Sequence, residues 1–591
     1  MGNFNRQLLA KHSVVYGEKL EDNIRILTSI AKPMWAKIIA RLNHLARTRD
    51  DYPPKELFAE WFNRDNVELA NEIWDKFVFG YKELGASIPH IKIINIWSNL
   101  TLLDLVLSIN YEQPEGSNKP ELEGNILKLY LAINEEAADR TDKIFAQIPA
   151  NDFPNIVDRF ARIGITLVYP YHDLNHFEPI EMFFANFIKT IYCLKWLEAT
   201  NLELLKKFLA PYGVDDWKDY LKAVLPVAHL AAVPNNDTGL NYLEITNSKN
   251  KEKAKVILDH LSLKHDIEYI LKNDFLLSRA NPLYRVGEES YLILDSLLTV
   301  NRIYNSMFFE LLRISEKERE LKLGKGKFFS IYTFEFIEQY LSYTILDEIY
   351  SKTRYIRFTG QKIAIEFGID TEPDYYVRNG NKIFLYEIKG SFVTGPTKQS
   401  VNFQEIEHEL KEKFLFDTSD NGNKAVKQLA ERMKILFEKS AKSVYDSNYN
   451  PKNIRIFPVL IVSELMMTTP GMNHILNEWL LAEIASDDTL KASKNRIHQL
   501  TIIDIDTLIR FSKEFRDDPA IFESMLLEYE RASNPARVDS IKKKTGVTEQ
   551  ELEARIWSTL DSFGFYLRRV LKPRIPEIFY EFAGDLFEEP E

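Results

Sequence analysis

Cysteine is almost absent. Cys193 is the only one in 591 residues, which excludes an intrachain disulfide and any cysteine-cluster zinc site and fits a reducing compartment such as the cytoplasm. Long apolar runs are missing as well, since no stretch reaches the roughly eighteen residues that a membrane helix requires. Met1-Gly2-Asn3-Phe4-Asn5-Arg6 carries neither a charged-then-apolar leader nor the Ser/Thr of a myristoylation signal. A soluble, unexported chain with no membrane partner is the expectation. Positive charge is not in excess either. The net charge of −12 argues against a protein that coats nucleic acid along its whole surface, although local basic patches remain compatible with it. Gly324-Lys325-Gly326-Lys327 lacks the Gly-x4-Gly-Lys-Ser/Thr spacing of a phosphate-binding loop and reads as a domain entrance. No repeat period is evident.

What is present suffices for several buried cores. With 45% hydrophobic residues, a chain of this length corresponds to about three or four domains. Before residue 320 the apolar spacing is helical, as in Trp35, Ile38, Ile39, Leu42 and Leu45, or Trp217, Leu221, Val224 and Leu225. Loops are marked by Asp50-Asp51-Tyr52-Pro53-Pro54, by Gln113 to Asn118, and by Pro234 to Gly239. The expected organisation is a helical N-terminal region over 1–235, a helical linker subdomain over 236–322, an α/β core over 323–515 and a helical C-terminal region over 516–591, with a solvated tail at Glu588 to Glu591.

The core holds the most informative stretch. Pro373-Asp374 precedes Glu387-Ile388-Lys389, and between them aromatic and β-branched residues flank Asn379-Gly380, a strong hairpin signal. If Asn379-Gly380 is a two-residue turn, Arg378 pairs with Asn381 and Asp374 falls opposite Leu385. Side chains alternate along a strand, so Asp374 shares a face with Leu385, Glu387 and Lys389. Asp374 and Glu387 are then diagonal neighbours, about 7–8 Å apart at the backbone, within reach of one hard cation. Two carboxylates plus a backbone carbonyl leave Mg²⁺ room for a phosphate and an attacking water, which Lys389 can orient.

Pro373-Asp374 with Glu387-Ile388-Lys389 resembles the PD-(D/E)XK nuclease superfamily, whose core is restriction-endonuclease-like: a mixed sheet flanked by helices. The resemblance implies metal binding by Asp374, Glu387 and the Ile388 carbonyl, with Lys389 activating water or stabilising the phosphate. It also implies Mg²⁺ as cofactor, with Mn²⁺ as a substitute. The superfamily commonly opens with a helix that adds an acid to the metal site. Glu338 suits that role on the stripe Phe334, Ile337, Leu341 and Ile345, better than Glu335, whose following neighbours are polar. Many members follow the Glu-x-Lys strand with a helix bearing a Gln-Leu step. Gln428-Leu429 matches it beside the apolar face Val426, Leu429, Met433 and Leu436. Buried strands read at Ile454–Val462, where Pro458 suggests a bulge or a strand start, and at Leu500–Ile505.

A mainly helical chain with a restriction-endonuclease-like α/β core is therefore expected, acting as a metal-dependent endonuclease on DNA ahead of RNA. Lys398, Lys411, Lys413, Lys424, Lys427, Arg432, Lys434, Lys439 and Lys442 crowd the stretch after Lys389, where a substrate backbone would run, but acids are interleaved with them. Large proteins of this build resemble anti-phage defence effectors, whose helical regions sense a trigger or a partner. A homodimer or a regulatory protein partner is compatible with cutting two strands. The competing reading is a helical scaffold or sensor whose nuclease fold only binds nucleic acid. His172 and His176, four apart, read as ordinary histidines near a loop, bracketed by Pro170 and Pro179.

Overall fold

The computed structural model describes residues 8–48, 52–111, 121–175, 177–233, 238–245, 251–264, 275–317, 326–369, 372–391, 393, 395–417, 422–542 and 546–587. Asp50, Asp51, the loop at 113–118, His176, Pro234 to Asp237, Gly324, Lys325 and the 588–591 tail lie outside the described residues. The chain forms two compact units. One comprises Met1–Phe145, Leu174–Phe183 and Lys206–Glu310, the other Ala146–Asp173, Phe184–Leu205 and Leu311–Glu591. These units cut across the four consecutive segments read from sequence. A proline- or glycine-rich loop marks a turn in the chain, but it does not say against which body the next helix packs.

The first unit is helical where the 3.6 period is clear. In the Lys32–Thr48 helix Trp35, Ile39, Leu42 and Leu45 are buried, while Ile38 is half-buried. Trp217, Leu221, Val224 and Leu225 are buried on the Trp217–Ala232 helix. The 236–322 stretch is not purely helical, contrary to expectation. It carries a three-stranded antiparallel sheet in the order Tyr242–Glu244, Ser290–Ile293, Leu283–Arg285. Strands of three or four residues are too short for alternation to register.

A buried ionic cluster lies in the same unit. Arg302 Nη2 donates to Glu310 Oε2 at 3.0 Å and to the Tyr212 hydroxyl at 2.8 Å, and Tyr212 donates to Glu310 at 2.9 Å. Burial alone would raise the Glu310 pKa, but His260 and Arg302 prevail and hold it at about 2. Glu310→Ala strands the buried Arg302 charge and is expected to cost about 3–5 kcal/mol, measurable by urea unfolding. A loss below 1 kcal/mol or so would mean that the cluster contributes little.

The second unit is built on a mixed sheet of β1 (Ile356–Thr359), β2 (Tyr375–Asn379), β3 (Lys382–Lys389), β4 (Arg455–Val462) and β5 (Thr501–Asp504), in the spatial order 5-4-3-2-1. The pairs β1–β2 and β2–β3 are antiparallel, while β3–β4 and β4–β5 are parallel. Helices relevant to the sites are α1 (Ile156–Val168), α2 (Ala425–Glu438) and α3 (Met472–Ser486). Both parallel connections carry a helix, α2 between β3 and β4 and α3 between β4 and β5, as parallel pairing demands. The α2 face Val426, Leu429, Met433 and Leu436 is fully buried, as its period predicts. Both expected late strands are present.

Pro458 neither starts nor bulges its strand; it lies inside β4, paired with Leu385. Ser463 and Arg455 donate their N–H groups toward β3, so the alternation of the strand turns the nitrogen of residue 458 toward β5. Pairing with β5 begins only at Val459. The donor that proline lacks therefore falls in the gap between the isolated Ile456–Ile497 bridge and the start of continuous pairing with β5. At the sheet edge Asn473 accepts from the Ile502 N–H at 2.7 Å and donates to the Leu500 carbonyl at 3.1 Å, closing part of the open edge of β5.

Candidate active site

The hairpin turn is shifted by one residue from the sequence expectation. Asn379 pairs with Lys382 and Tyr375 with Tyr386, so Gly380-Asn381 is the turn. Gly380 has φ +61° whereas Asn381 is not at positive φ, the pattern of a type II′ turn with glycine at its first central position. The Asn-Gly pair pointed to the hairpin but not to which two residues form its tip. Moving the turn by one residue changes each pairing by two, which preserves the faces. Asp374, expected opposite Leu385, lies one residue before the last pair, Tyr375 with Tyr386, so the same register carried one step further sets it against Glu387.

Asp374 is held where β2 begins. Its Oδ2 accepts the Ile388 N–H at 2.6 Å, and its carbonyl accepts the Gly360 N–H at 2.8 Å. A Cβ at residue 360 would lie 2.9 Å from the Pro373 oxygen, so glycine is what lets the β1 end pass this close. Lys389 directs its carbonyl to Ser463 on the β4 side. By alternation the backbone groups of Ile388 point the other way, toward Asp374.

Glu387 is fully buried in the central strand. Lys389 Nζ lies 2.7 Å from its Oε1, and the Arg432 guanidinium is in direct contact with its Oε2. Arg432 also reaches to 3.9 Å from Asp374 Oδ1. It stands on α2 one turn beyond Gln428, and α2 packs on β3. The Gln428 Oε1 is buried with no hydrogen-bond partner among the described residues.

Glu338 comes from a π-helical segment, Tyr332–Ser342, that packs against β3. The i→i+5 bonding widens the turn, so the buried positions are Tyr332, Phe336, Ile337, Leu341 and Ser342. Phe334, expected on the apolar stripe, is 54% exposed for that reason. Glu338 accepts a long hydrogen bond from the Tyr343 hydroxyl at 3.5 Å. Burial, and next the Asp374 charge, push its pKa up to about 8 against the opposing pull of Lys389 and Arg432.

Asp374, Glu387, Lys389 and Glu338 thus gather at one place, with Gln428 on the helix that covers it. Arg432 is the residue the sequence reading left out of the site. It stood in plain view, four residues after Gln428 and so on the same helical face. The donor set is all-oxygen and suits a hard cation. Asp374, Glu387 and Glu338 do not form a group with ligand atoms within 4.8 Å of one another, and Arg432 touches both Asp374 and Glu387. A cation at these carboxylates therefore competes with the guanidinium.

Compared with protein-family models, curated proteins and solved structures, the chain matches none.

The basic stretch after Lys389 is largely neutralised where it stands. Lys411 pairs with Glu407, Lys413 with Glu409, Lys424 with Asp417, Lys427 with Glu483 and Lys434 with Asp487, at 2.8–3.9 Å. No helix among the described residues is long and apolar enough to cross a membrane. His172 is buried, and burial lowers its pKa to about 4, so it remains neutral at physiological pH. One group among the described residues brings three ligand atoms within 4.8 Å: Asp158, His474 and Glu478. None of these was singled out from sequence: His474 and Glu478 are four apart on one helix, but Asp158 is 316 positions from His474.

Proposed function

We propose that the chain is a metal-dependent endonuclease of the restriction-endonuclease-like type that hydrolyses phosphodiester bonds in DNA. The observation that carries this reading is the convergence of Asp374 and Glu387 from paired strands with Lys389, Glu338 and Arg432. Mg²⁺, or Mn²⁺ in its place, would be held by Asp374, Glu387 and the Ile388 carbonyl, with Glu338 as a further oxygen donor. It would supply Lewis-acid activation of the phosphate and of a water.

The chain's own groups have distinct parts. The Ile388 N–H fixes the Asp374 carboxylate. Lys389, held by Glu387, places an ammonium beside the reacting centre, where it orients water or offsets charge on the phosphate. Arg432, once drawn off Glu387, offers a planar fork of donors to phosphate oxygens. The first unit, largely helical, is the region for a sensed trigger or a protein partner. A cytoplasmic anti-phage defence nuclease, acting as a homodimer where both strands are cut, is the biological setting that fits.

The test is incubation of purified protein with supercoiled DNA, linear DNA or RNA in Mg²⁺, Mn²⁺ or EDTA, beside Asp374→Ala and Lys389→Ala. Cleavage is expected in metal only, lost with Asp374→Ala and at least about a hundredfold slower with Lys389→Ala. Metal-dependent cleavage by a folded Asp374→Ala protein would remove the assignment. Cleavage of RNA alone would redirect the substrate without moving the site. Arg432 against Glu387 favours one other reading, a fold that binds nucleic acid without cutting it. That reading requires binding in EDTA and no hydrolysis in any metal.

A further inference from the structure

A second cluster of ligand-type side chains lies in the same unit and takes no part in the proposed hydrolysis. Asp158 is in the first turn of α1, and His474 and Glu478 are one turn apart on α3. His474 Nε2 is 2.8 Å from Asp158 Oδ1 and 3.3 Å from Glu478 Oε1. Those two spacings are those of ligands around one small cation with bonds of about 2.0–2.2 Å, and all three donors lie within 4.8 Å of one another; the 2.8 Å contact is a hydrogen bond in the metal-free chain, so a bound metal takes the place of its proton. All three side chains are half-buried, so the cluster is shielded yet open to an entering ion.

The scaffold holds these donors in place. The residue before α3, Gly471, has φ +95°, and a Cβ there would lie 2.5 Å from the Ala161 carbonyl oxygen. The start of α3 therefore lies directly on the α1 backbone. Arg162 fixes the remaining carboxylate oxygen, with Nη2 donating to Glu478 Oε2 at 3.1 Å and Nη1 donating to the Asp158 carbonyl at 2.8 Å. The guanidinium lies over the Phe153 and Phe403 rings. Glu478 is thereby turned so that Oε1 faces the imidazole, the service that outer residues give to ligands in metal sites.

We infer that Asp158, His474 and Glu478 form a binding site for a borderline divalent metal of the Zn²⁺ class, clasping α1 to α3. One imidazole nitrogen and two carboxylate oxygens match Zn²⁺, Co²⁺ or Mn²⁺, whereas Mg²⁺ gains nothing from the imidazole. Three protein ligands leave a position for water. Arg162 reduces the negative charge at the cluster and makes the affinity moderate. The clasp fastens the 146–173 segment to α3, remote in sequence, within the unit that also carries the Asp374 centre.

The test uses the full chain, stripped with EDTA and dialysed, then equilibrated with Zn²⁺ and freed of excess. Bound metal is counted by elemental analysis, and Co²⁺ absorption reports the imidazole ligand. One Zn²⁺ per chain is expected to remain in an Asp374→Ala protein and to be lost in His474→Gln and Asp158→Asn. Zn²⁺ is expected to raise the unfolding temperature of the parent and of Asp374→Ala, but not of His474→Gln, which keeps a polar side chain against unfolding on its own account. Equal Zn²⁺ retention by His474→Gln, no retention by the parent, or loss on Asp374→Ala would each overturn the site. None of these results bears on cleavage in Mg²⁺, so this site and the proposed active site stand or fall separately.

Discussion

Glu387→Gln is expected to abolish metal-dependent cleavage and at the same time to destabilise the protein by about 3–5 kcal/mol. The two effects have different causes. Hydrolysis is lost because the amide cannot hold a hard cation as a carboxylate does. Stability is lost because the Arg432 side chain, only 11% exposed, and Lys389 keep their charges while the buried counter-charge between them disappears. A second substitution separates the two. Glu387→Gln with Arg432→Met removes both charges of the pair, and buried pairs replaced by apolar groups of similar volume often cost nothing. The double variant is expected to regain most of the stability in urea unfolding and none of the plasmid cleavage. A double variant as unstable as Glu387→Gln would show that the ion pair is not what holds this part of the core. A single variant that still cuts would remove Glu387 from the site.

The hairpin illustrates how far local pattern carries. Alternation fixed the face on which Asp374, Glu387 and Lys389 lie, and that face survived a turn displaced by one residue, because the displacement changes the pairing by an even number. The choice of turn residues rests on small differences between turn types and was not legible. Helical period located α2 correctly, since Val426, Leu429, Met433 and Leu436 pack at ordinary α spacing. The same rule misplaced Phe334, because a π-helical segment does not keep that spacing. Arg432 went unassigned for another reason. A buried arginine is identified by the carboxylates it meets, and Glu387 is 45 positions before Arg432 on another element. The Asp158–His474–Glu478 cluster was hidden by still greater separation, across two helices whose contact no motif announces.

Glu338 gives the pH dependence that most sharply tests the centre. Burial and the neighbouring Asp374 charge raise its pKa to about 8, so at neutral pH it is mostly a neutral carboxylic acid. If it must ionise to complete the oxygen donors for Mg²⁺, cleavage at sub-saturating Mg²⁺ is expected to rise by up to about tenfold per pH unit below 8 and to level off above it, and saturating Mg²⁺ to move that plateau to lower pH. Glu338→Gln is expected to be slower at every pH and to lose that slope, since no group of this pKa remains. Stability of the metal-free protein has the opposite sign. An unfolded glutamate ionises near 4.5 and the folded one near 8, so the folded state binds the extra proton between those values. Its contribution is fully present below about 4.5 and is lost as pH rises through 8. Relative to the parent, Glu338→Gln is therefore expected to gain stability on going from pH 5 to pH 9. Parallel stability profiles for the two proteins, together with an unchanged pH–rate slope, would place Glu338 outside the metal centre and leave Asp374 and Glu387 to hold the cation without it.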